Sequence, residues 1–149
     1  MRRLYLASSW RNERQQDVLE SLRGDGHLVY DFKNPSVEGP PIEGDGAGFS
    51  WSAIDPLWKL WTPEQLIEAY KHPLAVRGLQ LDYDAMQWAD TCVMLQPCGR
   101  SAALELGWAI GARKLTAVLL APGQEPELMV RLANFITSDL DELLEWLSA

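Results

Sequence analysis

Short apolar segments alternate along the chain with stretches that carry helical signals, and this alternation most constrains the fold. The five apolar segments are residues 4–7, 28–30, 91–95, 115–120 and 135–137. Each is too short for an ordinary helix and is typical of a buried strand. Strands alternating with helices favour a parallel sheet with helices on both faces. The 149 residues suit one domain, so we expect a single α/β domain over 1–149.

Helix start signals lie between these segments. Asn12 is placed to cap a helix that runs to about Arg23, and Thr62 followed by Pro63 is typical of a helix start. Pro73 interrupts that second helix. Further helices are predicted over residues 78–88, 101–112, 125–133 and 139–147.

Residues 31–62 form a long segment rich in proline and glycine, which in a compact domain is usually functional or mobile. It holds Trp51, Trp58 and Trp61. These rings are either a hydrophobic plug under the loop or a wall for a flat aromatic ligand, because a ring face stacks well on a base. The glycines of segment 44–48 lack the strand–turn–helix context of a dinucleotide motif and are a weak signal.

The amino-acid composition argues against several classes of function. A formal net charge of −8 disfavours duplex nucleic acid as a partner, because phosphate backbones reward clustered lysine and arginine. No segment approaches the ~20 apolar residues of a membrane span, and no signal peptide is visible. Cys92 and Cys98 make no disulfide framework, so we expect a reducing cytoplasm. His27 and His72 show no metal-site spacing, and we expect neither metal nor cofactor.

Glu105 is the most informative residue of the chain. It is the one charge in the stretch 102–110, whose other residues are small or apolar, so we expect this helix to be buried on most sides. A buried carboxylate is costly unless it is paired. Glu105 lies about one turn after Ser101, the expected cap, where the helix dipole favours a negative charge. Such a carboxylate suits a glycosyl-transfer nucleophile, or it only satisfies amides of the helix start.

Three aspartates on or after the preceding helix are candidates for acid chemistry. Asp82, Asp84 and Asp90 follow one another at short spacing. One of them is suited to donate a proton, or a hydrogen bond, to a departing base. The alternative is a solvated helix face.

The chain resembles the nucleoside 2-deoxyribosyltransferase superfamily, which also contains nucleoside 5′-monophosphate N-glycosidases. The resemblance covers nearly the whole chain in order, and its most specific part is the stretch from Ser101 to Gly107. It implies a flavodoxin-like three-layer sandwich with a parallel sheet of about five strands. The matching segments are residues 5–11, 82, 88–90, 99–101, 105–109 and 126–129.

The resemblance also implies roles for individual residues. Glu105 would be the covalent nucleophile, Tyr5 would orient its carboxylate, and Asp82 would be the acid that handles the nucleobase. Glu127 and Met129 would reach into a neighbouring subunit's site, which implies a homodimer or a larger homo-oligomer. The implied substrate-binding residues are Ser9, Trp10, Arg11, Gly99, Ser101, Glu127 and Met129.

The residues leave the branch of the superfamily open. Ser9 and Arg11 resemble groups that hold a 5′-phosphate, whereas the carboxylate of Glu127 would repel one. The turn 99–101 lacks an aspartate that many transferases carry. We predict a 2′-deoxyribosyltransferase acting on a nucleoside and a free base. A nucleoside 5′-monophosphate N-glycosidase is the alternative, and a non-catalytic nucleotide-binding module on the same fold is a further one.

Overall fold

The computed structural model describes residues 1–44 and 46–149, and a five-stranded parallel sheet forms its centre. The strands run in the order β2-β1-β3-β4-β5, and every neighbouring pair is parallel. This is the flavodoxin-like order, so the predicted fold is confirmed. The strands are β1 Arg3–Ala7, β2 Leu28–Tyr30, β3 Thr91–Leu95, β4 Leu115–Leu119 and β5 Phe135–Thr137.

The helices agree with most of the predicted ones. Thr62 caps its helix through a reciprocal pair of hydrogen bonds with Gln65, and Pro63 is the first helical residue. The α-helices are α1 Gln15–Gly24, α2 Pro63–Tyr70, α3 Pro73–Trp88, α4 Arg100–Gly111 and α5 Leu140–Ser148. Short 3₁₀ helices cover Trp51–Ala53, Trp58–Leu60 and Leu128–Leu132.

Several predicted helix boundaries were wrong. The helix expected over 125–133 is only the 3₁₀ turn Leu128–Leu132. The helix expected from 78 begins at Pro73, because His72 caps it by accepting a hydrogen bond from the Leu74 amide. Gly99, not Ser101, is the N-cap residue of α4.

Side-chain alternation along the strands divides the core into two layers. Leu4 and Leu6 of β1 pack with α1 and α5, whereas Tyr5 and Ala7 belong to the cluster formed with α3 and α4. This is the period-2 alternation of a strand covered on both faces. It decides that Tyr5 points to the side of the sheet where α3 and α4 lie.

The long loop docks on α3 where Phe49 packs against Gly78 and where Arg77 donates a hydrogen bond to the Glu43 carbonyl. A Cβ on Gly78 would lie 2.6 Å from the Cβ of Phe49, so only glycine permits this packing. Phe49 contacts Trp51 edge-on, and Trp51 in turn contacts Trp61 and Tyr70. The plug interpretation therefore fits Trp51 and Trp61. Segment 44–48 includes Asp45, which lies outside the described residues.

Candidate active site

The site lies at the carboxyl edge of the sheet between β1 and β3. These neighbouring strands are where the strand order reverses, which is the usual ligand-binding crevice of an open parallel sheet. Helix α1 follows β1 and packs on one face, and α4 follows β3 and packs on the other. The loops after the two strands therefore lead to opposite faces of the sheet.

The buried side chain of Asn12 ties these two loops together. Its amide nitrogen donates to Ser8 Oγ at 2.8 Å and to the Pro97 carbonyl at 3.0 Å, and its oxygen accepts from the Arg14 amide at 2.8 Å. The prediction that Asn12 begins a helix directly was wrong, since α1 starts at Gln15. The residue fixes the geometry of the crevice instead.

Tyr5 and Glu105 meet as the resemblance implied. Tyr5 is 1% exposed and projects from β1 toward α4. Glu105 lies half-buried on α4, and its carboxyl makes a hydrogen bond with the Tyr5 hydroxyl that opposes the rise in pKa caused by burial. A phenol that donates to a carboxylate holds it in one orientation and favours its charged form.

The expectation that α4 is buried on most sides was wrong. Its buried face consists of Ala102, Leu106 and Ala109, which pack on the sheet. Leu104 on another face is 75% exposed. A helix against one face of a sheet buries a single stripe, so small apolar residues alone do not show burial all round.

Asp82 forms the second acid–tyrosine pair. The hydroxyl of Tyr30 donates a hydrogen bond to Asp82 Oδ1 at 2.9 Å. Tyr30 is the last residue of β2, and its ring stacks on that of Tyr5 with centroids 5.5 Å apart and planes 17° apart. The two tyrosines thus bring both carboxylates to one side of the sheet.

Burial raises the pKa of both carboxyls, and repulsion by Asp82 raises that of Glu105 further. Burial raises the pKa of Asp82 to about 6, although the Tyr30 hydrogen bond opposes this. Burial, and then the negative charge of Asp82, raise the pKa of Glu105 to about 8. The pair therefore holds one proton near neutral pH, and without a ligand these values place it on Glu105 rather than on Asp82.

Three predicted binding residues follow β1. Ser9 is half-buried and accepts a hydrogen bond from the Arg11 amide at 3.3 Å, while the Arg11 side chain is exposed. Trp10 is 49% exposed, and its indole donates to the Phe49 carbonyl at 3.0 Å. The Lys33 ammonium lies over the Trp10 ring at 5.6 Å. Trp10 thus connects the long loop to the rim of the crevice.

Gly99 and Ser101 lie at the open start of α4. Both are exposed, and a Cβ on Gly99 would meet nothing within 4 Å. Ser101 lies about one turn before Glu105 on α4, and Gly99 is the N-cap residue of that helix. A ligand over the carboxylate would therefore contact this turn.

Glu127 and Met129 lie at the opposite rim and are exposed. Burial raises the pKa of the Cys98 thiol to about 11, and the charges of Glu127 and Glu105 add to this, so Cys98 lies near both. Within residues 1–44 and 46–149, Glu127 forms no ion pair with Arg11. Its charge at this rim is thus not neutralised by that arginine.

Two of the three candidate aspartates, Asp84 and Asp90, make hydrogen bonds away from Glu105. Asp84 accepts a hydrogen bond from Gln80 at 2.7 Å on the exposed side of α3. Asp90 accepts from the Arg3 amide at 3.0 Å, at the opposite edge of the sheet. Sequence reasoning missed Tyr30, although its place at the end of β2, beside Tyr5, was a signal.

Cavity volume does not select the site. A cavity of about 510 Å³ lies beside β2 between residues 35–42 and Trp88, and no predicted site residue lines it. A gap between α3 and α4, against Tyr5, Cys92 and Glu105, is too narrow to hold a water molecule. Among the described residues, no group of three His, Cys, Asp or Glu side chains is arranged to hold a metal, and no helix is long and apolar enough to cross a membrane.

Two solved structures share the fold of this chain. No family model matches the chain, and no curated protein matches it in sequence. A 2-deoxyribosyltransferase of Bacillus psychrosaccharolyticus superposes with a TM-score of 0.57 at 20% identity, over 95% of this chain and 89% of that one. A CMP N-glycosidase of Clostridium botulinum superposes with a TM-score of 0.51 at 19% identity, over 97% of this chain and 96% of that one. At this identity the likeness establishes a shared fold.

Proposed function

We propose that the protein cleaves the N-glycosidic bond of nucleosides or nucleotides through a covalent glycosyl intermediate on Glu105. One observation carries the proposal: two carboxylates in one crevice, each held by its own tyrosine, share a proton near neutral pH. The motif resemblance and the two superposed proteins, a deoxyribosyltransferase and an N-glycosidase, support the same chemistry.

The first displacement forms the intermediate. When the substrate binds, the shared proton moves from Glu105 to Asp82 and leaves Glu105 ionised. The carboxylate of Glu105 then attacks C1′, so that a C1′–O bond forms while the C1′–N bond breaks and its electron pair leaves with the base. Asp82 transfers its proton to the departing base and becomes a carboxylate. The Tyr5 hydroxyl keeps Glu105 aligned for attack and stabilises its charge before the reaction.

The second displacement releases the sugar. Another base attacks C1′ from the vacated side, gives a proton to Asp82, and frees Glu105. Two displacements at one carbon retain its configuration and give ping-pong kinetics. Transfer to a second base makes the protein a nucleoside 2′-deoxyribosyltransferase, which is our first choice. With water as the acceptor it is instead a nucleoside 5′-monophosphate N-glycosidase.

Glu127 favours nucleosides over their 5′-monophosphates. Arg11 offers a planar set of donors to a phosphate, and Ser9 adds a hydroxyl. The charge of Glu127 lies near Cys98 at the same crevice and is not paired with Arg11 among the described residues. A phosphate of about −2 would be repelled there, whereas a 5′-hydroxyl would donate to the carboxylate.

A homodimer or larger homo-oligomer is part of the proposal. Leu79 of α3, Leu104 of α4 and Leu128 after β4 are 71%, 75% and 83% exposed. Tyr83 and Trp108 contact each other edge-on and join the outer faces of α3 and α4. Large exposed apolar areas of this kind are typical of subunit interfaces. The reducing cytoplasm and the single domain over 1–149 remain predictions.

The decisive test is a panel of deoxynucleosides and their 5′-monophosphates, each with and without a second free base, analysed by chromatography. We expect base exchange with nucleosides, and a loss of at least ~10³-fold in the Glu105→Ala variant while it stays folded. Mass spectrometry of the wild type should find one sugar attached at Glu105. Binding without turnover of any substrate would instead identify a nucleotide-binding module.

A further inference from the structure

The ring of Tyr30 is buried and is contacted by both Tyr5 and the backbone of Gly39. It is 1% exposed and stacks on Tyr5. The backbone of Gly39 also comes so close that a Cβ there would lie 3.0 Å from Cδ2 of the Tyr30 ring, and Gly39 has φ +148. A ring fixed by such contacts loses little freedom when its hydroxyl makes a hydrogen bond.

The single hydrogen bond from that hydroxyl selects one oxygen of Asp82. Tyr30 donates to Oδ1 at 2.9 Å, so Oδ1 is occupied as an acceptor and Oδ2 is left to carry the acidic proton. When the proton departs, the carboxylate keeps the Tyr30 hydrogen bond, and that bond strengthens because its acceptor becomes charged. The stabilisation is therefore larger after proton transfer than before it.

We propose that Tyr30 is a positioning residue which makes Asp82 an effective acid toward the leaving base, by directing the proton to Oδ2 and stabilising the carboxylate formed there. This inference rests on the proposed function. Tyr30 keeps its own proton throughout, so only the Asp82 proton moves to the base as the C1′–N bond breaks.

The groups around Asp82 define the expected pH behaviour. Tyr30 faces it from β2, Tyr5 from β1 and Glu105 from α4, and Asp31 lies beside Tyr30. The Tyr30 hydrogen bond lowers the pKa of Asp82. Its removal should raise that pKa, make Asp82 a weaker acid, and move both limbs of the bell-shaped rate profile to higher pH.

The test compares Tyr30→Phe with wild type on two substrates. Phenylalanine keeps the stacked ring and removes only the hydroxyl. With an unmodified purine deoxynucleoside we expect a roughly 10- to 100-fold fall in kcat, as for the loss of a hydrogen bond to a developing charge. With a 7-methylated purine deoxynucleoside, whose base leaves without being protonated, the loss should be below about threefold. Tyr70→Phe, which alters an exposed tyrosine, is the matched control.

A double-mutant cycle shows whether Tyr30 acts through Asp82. In the Asp82→Asn background, Tyr30→Phe should cost less than about threefold, because the acid has already been removed. Equal losses on both substrates, or full additivity with Asp82→Asn, would overturn the inference while leaving the proposed function intact. Absence of turnover by the wild type on the whole panel would overturn both. Normal rates and an unshifted pH profile in Tyr30→Phe would overturn only the role of Tyr30.

Discussion

The ionised Glu105 carboxylate should destabilise the folded state, and Glu105→Gln should show by how much the free energy of unfolding is lowered. Folding raises the pKa of this carboxyl from its ordinary value of 4.5 to about 8, because the site is buried and Asp82 is nearby. The folded state therefore holds the proton more tightly than the unfolded chain. The cost of ionisation is absent below pH 4.5, grows as the pH rises from 4.5 to 8, and is constant above that.

The size of this cost follows from the two pKa values. It amounts to about 3 kcal/mol at pH 7 and about 5 kcal/mol above pH 9. A glutamine has the same shape, carries no charge, and can still accept the Tyr5 hydrogen bond. Glu105→Gln should therefore unfold at the same temperature as the wild type at pH 4.5, and about 6–12 °C higher at pH 7.

Thermal and urea unfolding at pH 4.5, 7 and 9 measure this difference. Glu20→Gln, which alters an exposed glutamate in the middle of α1, is the control and should change the unfolding free energy by less than about 0.5 kcal/mol at each pH. If the gain of Glu105→Gln is the same at pH 4.5 and pH 9, the carboxyl is not held in a charge-disfavouring site. The electrostatic account of the pair would then be refuted.

Three further changes test the frame of the site. Gly78→Ala places a methyl group against Phe49, so it should displace the loop and raise KM several-fold with a smaller effect on kcat, measured by steady-state kinetics. Asn12→Ala should cost about 1–3 kcal/mol in urea unfolding, since it removes the hydrogen bonds that join the loop after β1 to the Leu95 and Pro97 carbonyls; unchanged stability would contradict its linking role. Glu127→Ser should improve kcat/KM for a deoxynucleoside 5′-monophosphate relative to its nucleoside by about tenfold, and a wild type that already prefers the monophosphate would favour the N-glycosidase.

Local patterns determined the framework of this protein. The five strands were predicted to within a residue because an apolar segment of three to six residues can only be buried as a strand in this context. The start of α2 at Thr62–Pro63 was also predicted correctly, because a helix cap uses hydrogen bonds within one turn. Glu105 was identified from the sequence because burying a charge among small apolar residues costs free energy unless the charge has a partner.

The tertiary structure decided which side chains meet. Tyr30 and Asp82 are 52 residues apart, and only the parallel pairing of β2 with β1 and the crossing of α3 above them bring hydroxyl and carboxylate together. The sequence predicted only a helix cap at Asn12. Its hydrogen bonds to Leu95 and Pro97 span more than 80 residues, so no local pattern in the sequence reveals them. The spacing of residues within one helix or strand can be read from the sequence, whereas contacts between elements depend on the strand order and register of the sheet. The sequence thus determined the fold and singled out Glu105, and the assembled sheet decided how Asp82 is held.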